Sequence, residues 1–339
     1  MEYIFFVGLV CILFMVELGY FHLATIFRIK DKPNKRSSHK RSTLRGGGVL
    51  FPIAWILFFL FNKNNTFLYM TSGLMIISIV SFADDVKSVD NRIRLLFHLV
   101  AFAMCFFEME LLTILNWWQQ AILFVVCIGA LNAINFMDGI NGITALNAFS
   151  ILLPLMFYDS SIGFKEPQIF LIAALLVFSF FNFRKNARCF AGDVGSVSMG
   201  FILIFLIVGL CFHVWIPHTG VSDFGSSSLQ EFQPKYILML AVFGIDSGWT
   251  IVQRLFLGEN IFQAHRRHLF QLLSNEMQWP HLLVASLYGI IQFAINFWIL
   301  RMHHMSWFQI VLVLAFMSLV YIVVKRMVIV HTRHKRKKK

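Results

Sequence analysis

The sequence predicts an all-α integral membrane protein, a polytopic bundle of about eleven transmembrane helices with no sizeable soluble domain. Three observations carry this expectation. Hydrophobic residues make up 58% of the chain and charged ones only 14%, whereas a soluble domain carries about 25% charge. The apolar residues are gathered into runs, and a run of about 20 is what a helix needs to cross a bilayer. The basic residues crowd into alternate loops, the asymmetry that fixes orientation in a membrane.

The apolar runs lie near 3–27, 47–62, 66–83, 94–115, 119–137, 140–158, 168–183, 196–217, 236–256, 281–300 and 306–325. The first lacks the basic n-region and small-residue cleavage site of a signal peptide, so it is expected to be retained as a span. Residues 1–325 form a single transmembrane domain in this reading, and 326–339 a basic cytoplasmic tail. With that tail inside, only Lys63, Lys165, Lys235 and Arg301 of the 29 Lys and Arg fall outside. The N-terminus is therefore expected outside and the C-terminus inside. Trp117, Trp118, Trp215 and Trp307 fall at the outer ends, as interfacial anchors do. The net charge of +12 is then a topology signal and not a sign of nucleic-acid binding. The five cysteines have no CxxC spacing, so neither a disulfide framework nor a zinc site is expected.

Chemistry-bearing residues gather in the inner loops. Asn132, Asn135 and Asp138 recur every third residue and would share a helix stripe, followed by Gly139, Asn141 and Gly142. Asp84 and Asp85 end an apolar run, and two adjacent carboxylates call for a cation, a basic group or a raised pKa, unless they are simply a solvated helix end. Gly192-Asp193-Val194-Gly195-Ser196 opens another run. Such a turn offers backbone N–H groups to phosphate, and Asp193 offers a hard oxygen to magnesium; plain N-capping is the alternative. Asp246 lies inside a span, with Thr250, Gln253 and Arg254 on its stripe, as a substrate contact or as a structural bond to another helix. His265-Arg266-Arg267-His268 combines imidazoles with guanidinium forks suited to phosphate, or forms a basic surface facing anionic lipid. Arg45 with Gly46-Gly47-Gly48 either cradles a lipid phosphate or marks close helix packing. Together these groups suit magnesium-assisted phosphoryl transfer between a soluble diphosphate and a membrane phosphate. A secondary transporter using intramembrane acids is the competing class. It predicts polar groups near the midplane or on both faces. An intramembrane Ser/His hydrolase finds no GxSxG-like stretch.

The motifs PNxRSSHxxxTxRGGG (Pro33 to Gly48), Asp84-Asp85, NAxNxxDGxxG (Asn132 to Gly142), GDxGSxxxGF (Gly192 to Phe201) and the His/Arg loop follow one another over residues 28–273. In that order they resemble the polyprenyl-phosphate N-acetylhexosamine-1-phosphate transferases, a glycosyltransferase family 4 group related to the peptidoglycan phospho-MurNAc-pentapeptide transferases. The resemblance implies a bacterial inner-membrane enzyme with a cytoplasmic cleft. It would transfer a sugar phosphate from a UDP-N-acetylhexosamine to undecaprenyl phosphate, releasing UMP, to initiate O-antigen or another surface polysaccharide. It implies Asp193 as ligand of Mg2+ (or Mn2+), and Asp84, Asp85 and Asp138 as catalytic. Arg45, Asn132, Asn135, Asn141, Asp246 and His265 to His268 would bind substrate. Membrane lipid is a further expected partner, a homodimer is allowed, and nucleic acid is not expected. Asn141 stands where many relatives carry a second Asp. Phe270-Gln271 after His268-Leu269 resembles the O-antigen-initiating subgroup and argues against a muramyl-pentapeptide substrate. One-step and covalent mechanisms stay open, as does the identity of the hexosamine.

Overall fold

The computed structural model describes residues 2–33, 38–39, 41–62, 67–158, 164–212, 232–260 and 265–337. Lys63, Trp215 and residues 34–37 of the first motif lie outside the described residues. The helices are α1 (Glu2–Ile26), α2 (Leu50–Phe61), α3 (Leu68–Val86), α4 (Asn91–Glu108), the short α5 (Leu111–Ile114), α6 (Trp117–Met137), α7 (Ile143–Met156), α8 (Lys165–Asn182) and α9 (Gly192–Phe212). They continue with α10 (Ala241–Phe256), the single turn α11 (Leu269–Gln271), α12 (His281–Arg301) and α13 (Trp307–Lys337). A two-stranded antiparallel ribbon, β1 (Lys30–Asp31) with β2 (Thr43–Leu44), follows α1.

Each predicted apolar segment contains a helix. Eight helices among the described residues are long and apolar enough to cross a membrane, by length and composition. Gly47–Phe61 and Ile143–Met156 are shorter apolar helices. The chain is thus an all-α, multi-pass membrane protein. Helix α13 runs on through the basic residues to Lys337, so the tail expected from 326 is a continuation of the last span.

The core is built around α9. Its most apolar window is 100% buried, against 22% for α1 and for α6 and 11% for α13, so α9 is the axis and the others face outward. Helices α2, α3 and α6 pack on α9, α4 on α3, α8 on α1 and α2, and α7 on α12. Small residues allow the closest crossing, as expected where dispersion drives association: a Cβ on Gly195 would lie 2.6 Å from Gly48 Cα. Gly47 N–H donates to Phe190 O at 2.9 Å and Gly48 N–H to Ala191 O at 3.0 Å. These two glycine amides are therefore spent on packing, the second of the two roles read for the triplet.

The two ends of the bundle differ. One gathers the C-terminus of α3, the N-termini of α4 and α9 and the α6–α7 turn. The other is filled by rings: Trp55 packs edge to face on Phe58 at 5.5 Å, Phe67 at 5.6 Å and Phe205 at 6.3 Å, with Phe164 beside them. Trp55 Nε1 donates to Thr71 Oγ1 at 2.9 Å, which satisfies its buried N–H.

Candidate active site

Three carboxylates and two guanidinium groups meet at the polar end. Asp85, in the last turn of α3, accepts from the backbone N–H of Asp193 at 2.8 Å and of Val194 at 2.9 Å. It therefore caps α9, whose first amides have no partner inside the helix. Gly192 bends into this contact at φ +72°, where a side chain would meet Gly46 N at 2.8 Å. Two amides expected for phosphate are thus held by Asp85.

Arg45 joins two of the acids, with Nε 2.6 Å from Asp85 Oδ1 and Nη2 3.1 Å from Asp193 Oδ1. Arg94, near the start of α4, lies 3.0 Å from Asp84 Oδ2 and 3.5 Å from Asp193 Oδ2. Asp84 also accepts from Val89 N–H at 2.6 Å. The acids differ in access: the Asp85 side chain is 0% exposed and Asp193 17%. Asp85 is enclosed by the fold, while Asp193 keeps an open edge.

The carboxyls of Asp84 and Asp193 come within hydrogen-bonding reach of each other. Two carboxylates that close require a proton or a cation between them. Three acids against two arginines leave one negative charge in excess, and the donors are hard oxygens. The set fits a hard divalent cation on Asp193 and Asp84. Among the described residues, no group of three or more His, Cys, Asp or Glu side chains is gathered as a metal centre; the arginines hold the acids instead.

Beside this cluster lies the end of α6. Asn135 Oδ1 accepts from Ser196 Oγ at 2.6 Å, which links α6 to α9. Asp138 Oδ1 accepts from Thr144 Oγ1 at 2.5 Å. Burial pushes the Asp138 carboxyl up to about 6, against the lowering effect of the Thr144 hydroxyl and with the help of the nearby Asp85 charge. Asn132, expected on the same stripe, donates to Ile128 O at 2.9 Å within its own helix. Asn141 donates to Arg184 O at 2.7 Å and is buried. Asn132 and Asn141 thus each give one amide hydrogen to the fold, while Asn135 and Asp138 lie beside the acid cluster.

The His/Arg loop closes over the same turn. Phe270 packs so tightly on Gly139 that a Cβ there would lie 2.9 Å from its ring. His268 is buried and stacks on Phe270 at 5.6 Å, with His265 4.9 Å away. Burial, with the neighbouring His268 and Arg254, holds the half-buried His265 imidazole down to about 4, so it is neutral at physiological pH. Arg267 pairs with Glu259, whose carboxyl it holds below the usual range. Arg266 is half-buried on this loop. Asp246, expected to bind substrate, is 0% exposed and surrounded by protein donors. Of the two roles read from the sequence, these bonds are those of a structural link between helices.

Arg94 was not among the expected site residues, because a basic residue at an inner helix end reads as ordinary topology charge. Its signal is the Asp90 cap that starts α4 (Asp90 Oδ1 accepts Arg92 N–H at 2.7 Å), which turns Arg94 back toward Asp84. An apolar cavity of about 1260 Å³ opens between α6, α9, α10 and α13, lined by Val126, Ala130, Ile207, Gly248, Trp249 and Leu314 among others.

Residues 67–210 match the family model for glycosyl transferase family 4. The phospho-N-acetylmuramoyl-pentapeptide-transferase of Thermotoga neapolitana is 29% identical over 182 residues, 48% of this chain and 59% of that protein. Its Thermotoga maritima counterpart is 28% identical over 185 residues, 49% of this chain and 60% of that protein. The chain thus matches about three-fifths of the length of these relatives. The probable undecaprenyl-phosphate N-acetylglucosaminyl 1-phosphate transferase of Bacillus subtilis is 25% identical over 266 residues, 72% of this chain and 69% of that protein.

Proposed function

We propose that the chain, which matches the glycosyl transferase family 4 model over residues 67–210, transfers an N-acetylhexosamine-1-phosphate from a UDP-sugar to undecaprenyl phosphate. The products are undecaprenyl-diphosphate-N-acetylhexosamine and UMP, and the step initiates O-antigen or a similar surface polysaccharide at the cytoplasmic face of a bacterial inner membrane. The observation that carries the reading is the meeting of Asp84, Asp85 and Asp193 with Arg45 and Arg94 at one end of the bundle. A transporter would need such groups along a path, and its natural candidate, Asp246, is instead closed in by protein donors.

In this reading the donor diphosphate lies at the open edge of Asp193, and the loop from His265 to His268 covers the sugar and phosphates. Magnesium, or manganese, held by Asp193 with Asp84 would supply the positive charge that draws electron density from the diphosphate. Arg45 and Arg94, shared among three acids, keep the carboxylates apart and offer N–H donors to phosphate oxygens. An oxygen of the lipid phosphate forms a bond to the sugar-linked phosphorus, and the anhydride bond to UMP breaks. We favour direct attack over a covalent enzyme intermediate. Asp85 is fully enclosed and accepts two amides and a guanidinium, which makes it a poor nucleophile, while a phosphate dianion needs mainly positioning. The apolar cavity beside α6 and α10 suits the acceptor's hydrocarbon chain.

The test is a membrane assay with undecaprenyl phosphate, magnesium and radiolabelled UDP-GlcNAc, UDP-GalNAc or their 6-deoxy forms. Label should enter the lipid phase with release of UMP, and EDTA should stop it. The muramyl-pentapeptide donor belongs in the same series, because the Thermotoga relatives carry that name. Label from that donor alone would overturn the N-acetylhexosamine reading.

The Asp138 carboxyl gives a pH prediction. Its value, raised to about 6, places the loss of the carboxylate in the mildly acidic range, so turnover should fall as pH drops through about 6. The Thr144 hydroxyl favours the charged form, so Thr144→Val should move this acid limb upward by about one pH unit. A pH–rate profile unchanged in the variant would separate Asp138 from the chemistry.

A further inference from the structure

Asp246 is the hub of a second polar network, built from elements that the acid cluster does not use. Its Oδ2 accepts from Tyr288 of α12 at 2.7 Å, and its Oδ1 from Tyr321 of α13 at 2.8 Å and from Leu269 N–H at 3.0 Å. The same oxygen lies 3.4 Å from His268 Nδ1 and 3.4 Å from Thr250 Oγ1. Lys325, one turn beyond Tyr321, donates to Thr250 Oγ1 at 2.9 Å and to Tyr321 Oη at 2.8 Å. Asp246, Thr250 and Lys325 are all buried. A lone acid and a lone cation deep in adjacent helices are each expensive, and sharing Thr250 and Tyr321 offsets that cost.

The network ends on one ring. Asp246 Oδ1 and the Gln271 backbone N–H both meet the ring on its Nδ1 side, which fixes its orientation and leaves Nε2 outside the network. This Nε2 is buried and has no hydrogen-bond partner among the described residues. Phe270 stacks on the ring at 5.6 Å and itself rests on Gly139, next to Asp138. A buried, oriented ring nitrogen left without a partner beside the Asp138 turn is a place for a polar group of a ligand.

We propose that Asp246 is the positioning residue for His268, acting with Tyr288 and with Tyr321 and Lys325 of the C-terminal helix. These groups hold His268 Nε2 ready to hydrogen-bond a polar group of the sugar donor. The inference rests on the transferase reading of the same cleft. It makes α13, which lies beyond the segment matched by the family model, a working part of the site.

The test compares the full-length protein with Asp246→Asn, Tyr321→Phe, His268→Ala and the Asp246→Asn/His268→Ala pair. Hydrogen exchange read by mass spectrometry should quicken about tenfold over residues 265–273 in Asp246→Asn and Tyr321→Phe, with α3 and α9 unchanged. In turnover, Asp246→Asn should lower kcat on the order of 100-fold alone, but by less than about threefold once His268 is Ala. Exchange that quickens over the whole bundle would overturn the proposal in favour of general structural support. Unchanged exchange in the loop, or losses that simply multiply, would overturn it too. If the parent protein turns over no donor, the transferase reading falls, and the exchange pattern alone decides whether Asp246 positions His268.

Discussion

Asp193→Asn is expected to reduce turnover about a thousandfold or more while the bundle stays folded. Asn keeps the size of the side chain and can still accept from Arg45, which now lies 3.1 Å away. What it loses is the charge. In the wild type three acids face two arginines, and in the proposed reaction the excess negative charge would draw a cation to the edge where Asp193 is exposed. In the variant the acids and arginines balance, and that attraction is gone. The backbone N–H of residue 193 still donates to Asp85, so α9 keeps its cap. UMP release measured beside thermal unfolding in detergent decides the matter. Near-normal release from a folded variant would remove Asp193 from the chemistry.

Asp85→Ala is expected to show the opposite balance, with a large loss of stability in addition to the loss of activity. The substitution leaves two amides at the start of α9 without acceptors and removes the closer of Arg45's two carboxylates. Each orphaned group in a buried place costs about 1–3 kcal/mol, and breaking a buried ion pair about 3–5 kcal/mol. Arg45 is partly exposed and keeps Asp193, so it loses much less than a buried pair would, and the two stranded amides dominate, for a total of about 2–6 kcal/mol. Asp84→Ala should cost about 1 kcal/mol, because Arg94 keeps Asp193 and only one loop amide is stranded. Denaturant midpoints measured in one detergent would compare the two. Equal midpoints would mean that Asp85 does not cap α9.

These two neighbours also show what a sequence makes legible and what it hides. The apolar segments are plain from hydropathy, because the bilayer demands long uninterrupted runs. The convergence of Asp84, Asp85, Asp138 and Asp193 on one end follows from alternation of the loops. The division of labour between Asp84 and Asp85 does not, because it depends on which carboxylate meets the start of α9. Backbone accounting decided several other positions. The amides of Gly47 and Gly48 seemed available for phosphate until α9 was placed against them. Asn132 and Asn141 fit a ligand-binding motif by spacing, but the motif says nothing of the carbonyls at Ile128 and Arg184. Arg94 and Lys325 were hidden by composition, since a basic residue near an inner helix end explains itself as topology. Nothing in the sequence singles out Tyr288 or Tyr321, and only Asp246 between them gives their hydroxyls a purpose.

The ring packing of Trp55, Phe58, Phe67, Phe164 and Phe205 has a consequence for traffic across the bilayer. Among the described residues it fills the side of the bundle formed by α2, α3, α8 and α9 at the end away from the acids, so a headgroup assembled at the polar end has no way out along that side. In the proposed reaction, a lipid charged with sugar would leave into the leaflet from which it came. Turning it over to the other leaflet becomes the work of a separate carrier, and the rate of that carrier, as much as this catalyst, would set how fast free lipid phosphate returns for the next round.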